Sequence, residues 1–308
     1  MSAQLPEIRR YGTAAVAAAA AAIRAGGIVA VPTETVYGLA ADARDSAAVA
    51  RIYAAKGRPS FNPLIVHVLD LAAAEALALF DDDARELAAR FWPGPLTLVL
   101  PLQEGAGVAS LVTAGLDTIA LRVPAHRAMR ALLAASGAPL AAPSANASNA
   151  ISPTRAEHVA ASLGASVPLI LDDGATAAGV ESTIVAGRTI LRPGPVTAEM
   201  LRAVLPVVPG ATAHVSAPGQ LASHYAPRKP LRLEAVAAEA DEWLIGYGAV
   251  AGDDTLSAAG DPVEAAARLF DALHRADASA RARIAVAPVP EAGVGVAIND
   301  RLRRAAQR

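Results

Sequence analysis

The chain of 308 residues contains no cysteine. That absence excludes disulfides, thiolate zinc sites, iron–sulfur clusters and cysteine nucleophiles, and it fits a reducing, cytoplasmic compartment. Lysine is nearly as scarce, with only Lys56 and Lys229 among 27 basic residues. Where basic positions have drifted to arginine, a surviving lysine suggests a site that needs a compact point charge. Aromatic residues make up 4 % of the chain, so the core must be built from Ala, Val and Leu. No run of about 18 uncharged apolar residues occurs, so no membrane span is expected. Arg9-Arg10 before an Ala-rich stretch imitates an export signal, but Arg24 interrupts the run and Gly26-Gly27 ends it as a helix would end. The P-loop, dinucleotide-binding, zincin and α/β-hydrolase signatures are missing as well, and the six histidines show no ligand spacing.

Charge of either sign is also in short supply. The net charge is −2, and residues 1–210 hold 16 basic against 17 acidic groups. No electrostatic footprint for nucleic acid is visible.

What is present alternates. Helical patterns at 13–25, 46–56, 72–79, 83–91, 125–136, 155–163 and 197–204 are interleaved with short apolar strand patterns at 28–31, 64–68, 96–100, 118–123, 139–142, 168–171, 181–186 and 189–192. Such alternation predicts an α/β sheet flanked by helices. Ala186-Gly187-Arg188 reads as a hairpin turn, which makes the sheet mixed. Ser46 is the expected cap of its helix, and Asp81-Asp82-Asp83 reads as a capping cluster rather than a metal site. Periodicity stops between Pro206 and Pro230, where Pro, Gly, Ser and His accumulate. The expected organisation is a catalytic domain over 1–205, a linker or lid over 206–230, and a small α/β domain over 231–308. In that last domain the Arg-rich helix from Asn299 to Gln307 reads as a solvated face, and Lys229 as a solvated linker charge.

Two runs crowd polar groups beside strands, Val31 to Leu39 and Lys56 to Leu64. In strand 118–123, alternation places Thr118, Ala120 and Arg122 on one face and Ile119, Leu121 and Val123 on the other. Ile65 and His67 separate in the same way from Leu64, Val66 and Val68. Arg122 and Arg192 could act as bidentate forks for a carboxylate or phosphate, with His67 and nearby hydroxyls as donors. Lys56 and Arg58 add positive charge at a helix end.

Taken in order, Pro32–Leu39, Lys56–His67, Trp92–Thr97, Arg122–Pro124, Ala142–Asn146, Glu181–Ile184 and Leu191–Gly194 resemble the YrdC-like family, in the two-domain form of the threonylcarbamoyl-adenylate synthases. The resemblance implies a YrdC-like twisted mixed sheet with a smaller Rossmann-like domain. It implies a nucleotidyltransferase that makes threonylcarbamoyl-AMP and pyrophosphate from L-threonine, bicarbonate and ATP with Mg²⁺, for a downstream tRNA-modifying machinery. By similarity, Thr35, His67, Arg122, Ala142 and Ser182 are expected at L-threonine. Arg58, Asn62, Thr118, Ser144, Ser152, Arg192 and Tyr225 are expected at the nucleotide. Lys56, Arg58, Ser144 and Asn146 match a tetrad expected at the triphosphate, with Lys56 and Arg58 catalytic and Tyr225 on a lid. The alternatives are a carbamoyl-adenylate-forming domain of the hydrogenase-maturation type and an RNA-binding or ribosome-maturation module without turnover.

Overall fold

The computed structural model describes residues 5–59, 61–210 and 224–307. Within them, eleven strands form one mixed sheet: β1 (Glu7–Arg10), β2 (Val29–Pro32), β3 (Tyr37–Asp42), β4 (Ile65–His67), β5 (Leu96–Pro101), β6 (Thr118–Arg122), β7 (Leu140–Ala141), β8 (Leu169–Asp172), β9 (Thr183–Ala186), β10 (Thr189–Arg192) and β11 (Val208–Pro209). Their order across the sheet is β1-β8-β2-β3-β7-β4-β6-β5-β9-β10-β11. Two parallel pairs, β1-β8 and β8-β2, are followed by three antiparallel ones through β3, β7 and β4; parallel and antiparallel pairs alternate only from β4 onward, where β9 and β10 form the expected hairpin.

Helices α1 (Thr13–Arg24), α2 (Ser46–Lys56), α3 (Leu71–Glu75), α4 (Asp82–Phe91), α5 (Ser110–Thr113), α6 (Arg127–Ser136), α7 (Ala156–Leu163) and α8 (Ala198–Arg202) accompany this sheet. The face carrying Leu64, Val66, Ile119, Leu121 and Val123 joins Ile52, Leu87 and Leu96 in the largest core. α1 and α6 close the other side of β2, β3 and β8 around Ile23, Val29, Met129 and Leu132. Asp81 caps α4 as expected, its carboxylate accepting from Ala84 N at 2.8 Å. α2 corrects the sequence reading, because Asp45 and not Ser46 is its cap, accepting from the backbone of Ala47 and Ala48. An ionised carboxylate at that position accepts both orphan amides, which a hydroxyl already inside the first turn cannot do.

The smaller unit is a four-stranded parallel sheet ordered β12-β15-β13-β14, from β12 (Leu231–Arg232), β13 (Glu242–Gly246), β14 (Asp254–Thr255) and β15 (Arg283–Val286). Its helices α9 (Pro262–Ala278) and α10 (Gly295–Ala306) complete a Rossmann-like arrangement. Lys229 is not a solvated linker charge. Its Nζ donates to Ala276 O, Ser279 O and Ser279 Oγ at 2.9, 2.7 and 3.1 Å, closing the C-terminal end of α9.

The two units share one apolar cluster, in which Val36, Ile151, Val180 and Tyr225 pack with Phe270, Leu269 and Ile298. Gly179, at φ +69°, lies so close to α9 that a Cβ there would sit 2.2 Å from Ala266 O. Arg155 pairs with Asp271 at 3.0 Å, and the rings of His158 and His274 stack 3.8 Å apart.

Candidate functional site

β4 and β6 run side by side, with His67 opposite Arg122 and Ile65 opposite Ala120. Their shared face carries a small apolar cluster of Ile65, Val99, Ala120, Ile184 and Leu191. His67 and Arg122 extend that face as its polar end, as the alternation predicts. A cavity opens there, lined by Thr35, His67, Arg122, Ala142 and Ser182 together with Arg58, Ser144, Arg192 and Tyr225. Nine of the expected site residues are thereby brought together from segments spread over 190 positions of sequence (225 − 35).

One wall hangs from the turn between β2 and β3. Thr33 Oγ1 accepts from the backbone of Thr35 and Val36 at 3.2 Å each, a hydroxyl-stabilised turn. Thr35 is thereby aimed at Arg122, whose Nη1 donates to Thr35 Oγ1 at 3.0 Å. Arg122 also donates from Nε to Gly94 O at 3.1 Å and pairs through Nη2 with Glu34 at 2.6 Å. Burial raises the Glu34 pKa most, but the Arg122 charge and hydrogen bond together with backbone hydrogen bonds outweigh it and hold the carboxyl below the usual carboxylate range. Glu34 thus does more than cap a turn, because it braces the arginine. Gly38 follows one residue after Tyr37, and a Cβ there would press on Ala142 Cβ at 3.2 Å. That close approach brings the Ala142–Ser144 segment against the turn.

His67 is buried, and both its ring nitrogens lack protein partners among the described residues. Burial, with Arg122 adding, pushes its pKa down to about 3, so the ring is neutral and offers one donor and one acceptor. Ser182 Oγ lies 2.7 Å from Thr97 Oγ1 and accepts from Arg192 Nη2 at 3.1 Å, while Arg192 Nε donates to Ser182 O at 3.0 Å. Gly194 makes this possible, since a Cβ there would fall 2.4 Å from Thr183 N.

The opposite wall is cationic. Arg58 donates to Asn62 O and Pro63 O at 3.2 and 3.0 Å, so it is folded onto its own loop. Burial pulls its pKa down to about 10, Tyr53 opposing and Arg192 adding to the fall. Arg192 is lowered too, by burial first. His224, beside them in the cavity, is held well below its ordinary value by burial and then by Lys56, Arg58, Arg192 and Arg301. A proton there is disfavoured first because the ring is desolvated, and the surrounding cations add to that.

Five expected residues support the cavity from behind or stand apart from it. Lys56 is buried, and its Nζ donates to the carbonyls of Ser144 and Asn146. Burial, with Arg58 adding, lowers its pKa well below the lysine range. Asn146 spans Ala147 O and Ala150 O with its amide at 3.0 and 2.8 Å. Ser152 donates to Glu181 Oε1 at 2.5 Å. Asn62 is buried with Oδ1 unpartnered among the described residues, and its carbonyl holds Tyr53 Oη at 3.0 Å and Arg58. A further residue, Thr118, opens β6 at the end opposite Arg122, about 13 Å away along an extended strand. It is half-exposed and does not line the cavity, so a ligand touching both would have to be elongated.

The C-terminal side supplies one expected residue, Tyr225, and one that sequence reasoning missed, Arg301. Tyr225, in the left-handed region at φ +65°, is buried over the cavity with its ring against His224 and Phe270. The expected lid residues 211–223 lie outside the described residues. Arg301 corrects the reading of α10 as a solvated face: it is 0 % exposed and binds Glu181 Oε2 at 3.0 Å. Its position on the same helix face as Ile298 and Ala305, three residues after one and four before the other, was the available signal, since these residues mark the buried stripe.

Such an arrangement defines a two-domain α/β protein whose cavity gathers three arginines with hydroxyl and imidazole groups. A family model described as "Telomere recombination" matches residues 21–194, and one described as "Threonylcarbamoyl-AMP synthase, C-terminal domain" matches residues 196–307. The threonylcarbamoyl-AMP synthase of Bacillus subtilis is 41 % identical over 94 % of this chain and 92 % of its own length. That of Pyrococcus abyssi is 42 % identical over 93 % and 92 %. The crystal structure of P. abyssi Sua5 complexed with L-threonine superimposes with a TM-score of 0.89 at 37 % identity, covering 98 % of both chains. The chain belongs to the threonylcarbamoyl-AMP synthase family.

Proposed function

We propose that this chain makes L-threonylcarbamoyl-AMP from L-threonine, bicarbonate and ATP with release of pyrophosphate, and that the adenylate serves threonylcarbamoylation of a tRNA adenosine beside the anticodon. The observation that carries this reading is the convergence of a hydroxyl, imidazole and arginine wall with a cationic wall, in a fold shared end to end with a threonine-bound relative. Catalytic domain 1–205, linker 206–230 and small domain 231–308 remain the proposed division of labour.

The chemistry asks for alignment and charge neutralisation rather than a protein nucleophile. The threonine amine condenses with bicarbonate, losing water, to give a carbamate. A carbamate oxygen then attacks the α-phosphorus in line, and the electrons of the broken P–O bond leave with pyrophosphate. Arg122, already held by Glu34, Gly94 O and Thr35, offers its guanidinium to the threonine carboxylate. Neutral His67 and Ser182 suit the threonine hydroxyl and amine, and the Ala142 backbone closes that side. Arg58 and Arg192 face the phosphates with Ser144, and Tyr225 covers the nucleotide side. Lys56 and Asn146 act from behind by fixing the 144–150 loop, and Ser152 by fixing Glu181. An extended ATP could reach from this wall towards Thr118 and Asn62.

Among the described residues no group of three or more acidic or histidine side chains is arranged to hold a metal. The acids nearest the cavity, Glu34 and Glu181, are engaged by Arg122, Arg301 and Ser152. The residues present therefore do not form a resident metal site, and Mg²⁺ would come with the triphosphate as its ligand.

The test is pyrophosphate release from ATP with threonine and bicarbonate each supplied or withheld. Release that needs both supports the reading. Release indifferent to threonine would instead favour carbamoyl-adenylate chemistry, and tight, salt-sensitive RNA binding without release would favour a binding module.

A further inference from the structure

One fully buried side chain of the small domain reaches Glu181, a residue that lines the cavity. Arg301, on α10, donates from Nε to Glu181 Oε2 at 3.0 Å and from Nη2 to Glu181 O at 3.3 Å. Its Nη1 donates to Pro193 O at 2.6 Å and to Asp300 Oδ2 at 3.0 Å. The guanidinium lies 5.6 Å from the ring centre of Tyr225. Glu181 immediately precedes Ser182, and Pro193 immediately follows Arg192. Arg301 therefore grips the backbone one residue before Ser182 and one residue after Arg192, the two residues that bind each other across the cavity floor. Burial alone would lower the Arg301 pKa, but Tyr225, Glu181 and Asp300 raise it, so the side chain is a permanent cation inside the molecule.

We propose that Arg301 is a positioning residue for the reaction: through Glu181 and Pro193 it fixes the Ser182–Arg192 pair, so that the small domain completes the geometry of a site built by the large one. This inference rests on the assignment of Arg192 to the nucleotide and Ser182 to threonine. Lysine could neutralise Glu181 but could not bind Glu181 Oε2, Glu181 O and Pro193 O at once, because only the planar fork presents donors in those directions. A purely structural staple would act through domain docking. The Arg155–Asp271 pair is such a staple, joining the same two units without touching Glu181 or Pro193.

The experiment compares full-length wild type, Arg301→Lys, Arg192→Lys, the double variant and Arg155→Lys. ATP affinity, kcat/KM for pyrophosphate release and Tm are measured for each. Arg301→Lys is expected to cost about tenfold in both ATP affinity and kcat/KM, measured below its own Tm, which should fall because buried acceptors at Glu181 and Pro193 lose donors. In the Arg192→Lys background it should cost less than about threefold, because residues that act as a unit are not additive. Arg155→Lys should leave both at wild type. Wild-type behaviour of Arg301→Lys, multiplication of its loss with that of Arg192→Lys, or an equal loss in Arg155→Lys would each overturn the proposal. Should Arg301→Lys fail to fold, Glu181→Gln replaces it in the same cycle, with non-additivity again expected and additivity again fatal. If wild type binds ATP yet releases pyrophosphate without threonine, the functional reading fails while the affinity cycle still judges Arg301. A wild type that binds no ATP overturns both.

Discussion

Lys56 is one of two lysines in the chain, and its ammonium is spent on carbonyls. Lys56→Met keeps the length and removes the donors, leaving Ser144 O and Asn146 O to lose a partner in a buried place. Unfolding free energy should fall by about 2 kcal/mol in chemical denaturation, and turnover by at least about tenfold. A loss of turnover with unchanged stability would instead place Nζ on the substrate. Arg58→Ala should also lower turnover by at least about tenfold, and should lower the denaturation midpoint too, because its acceptors Asn62 O and Pro63 O belong to buried residues. The buried histidines make a separate prediction about pH. Native His67 and His274 stay neutral down to about 3 and about 4, whereas in the unfolded chain each takes a proton near 6.5. Between those limits the unfolded state binds more protons, so stability should fall as pH drops from 6.5 towards 4. His274→Gln, outside the cavity lining, removes one such group and should flatten that slope by about 1.4 kcal/mol per pH unit in urea titrations at several pH values. An unchanged slope would mean that His274 is protonated in the native state.

At the scale of elements, the legible part of the fold was the part with a clean period. The strands at 64–68, 96–100 and 118–123 and the hairpin at 186–188 were readable from alternation and turn chemistry, and they carry the cavity. β3 was not, because Tyr37–Asp42 is buried on both faces and reads as Gly and Ala after a polar turn. β1 was missed for the opposite reason: Glu7–Arg10 is an edge strand, largely exposed, with no apolar signal of its own. Arg301 was missed because a lone arginine among others on a helix gives no sign that its partner lies 120 residues away at Glu181. The turn after β10 supplies the prediction proper to this scale. Gly194→Ala would place a methyl group against the backbone of Thr183, Glu181 and Ser182 at 2.4–2.7 Å. Backbone cannot yield as a side chain end does, so the variant should lose about 2 kcal/mol or more of stability, seen as a lowered denaturation midpoint, together with most of its turnover.

For the whole molecule, the two units are joined by an apolar cluster and by ion pairs of different reach. Arg155–Asp271 docks one unit on the other, while Arg301 extends from the small domain to the backbone that carries Ser182 and Arg192. Tyr225 closes the same place from the connecting segment. The molecule as a whole is near neutral, with a net charge of −2, while Arg58, Arg122 and Arg192 converge on the cavity, a balance that suits a small anion better than a polynucleotide backbone. The central claim is that one cavity joins threonine, bicarbonate and the adenylate of ATP in a single product. Incubating the chain with L-threonine, ATP and isotope-labelled bicarbonate, followed by mass spectrometry of the small molecules, tests it directly. The account predicts a labelled adduct that holds threonine, one carbon from bicarbonate and AMP; labelled carbamoyl-AMP without threonine, or AMP and pyrophosphate with no labelled adduct, would contradict it.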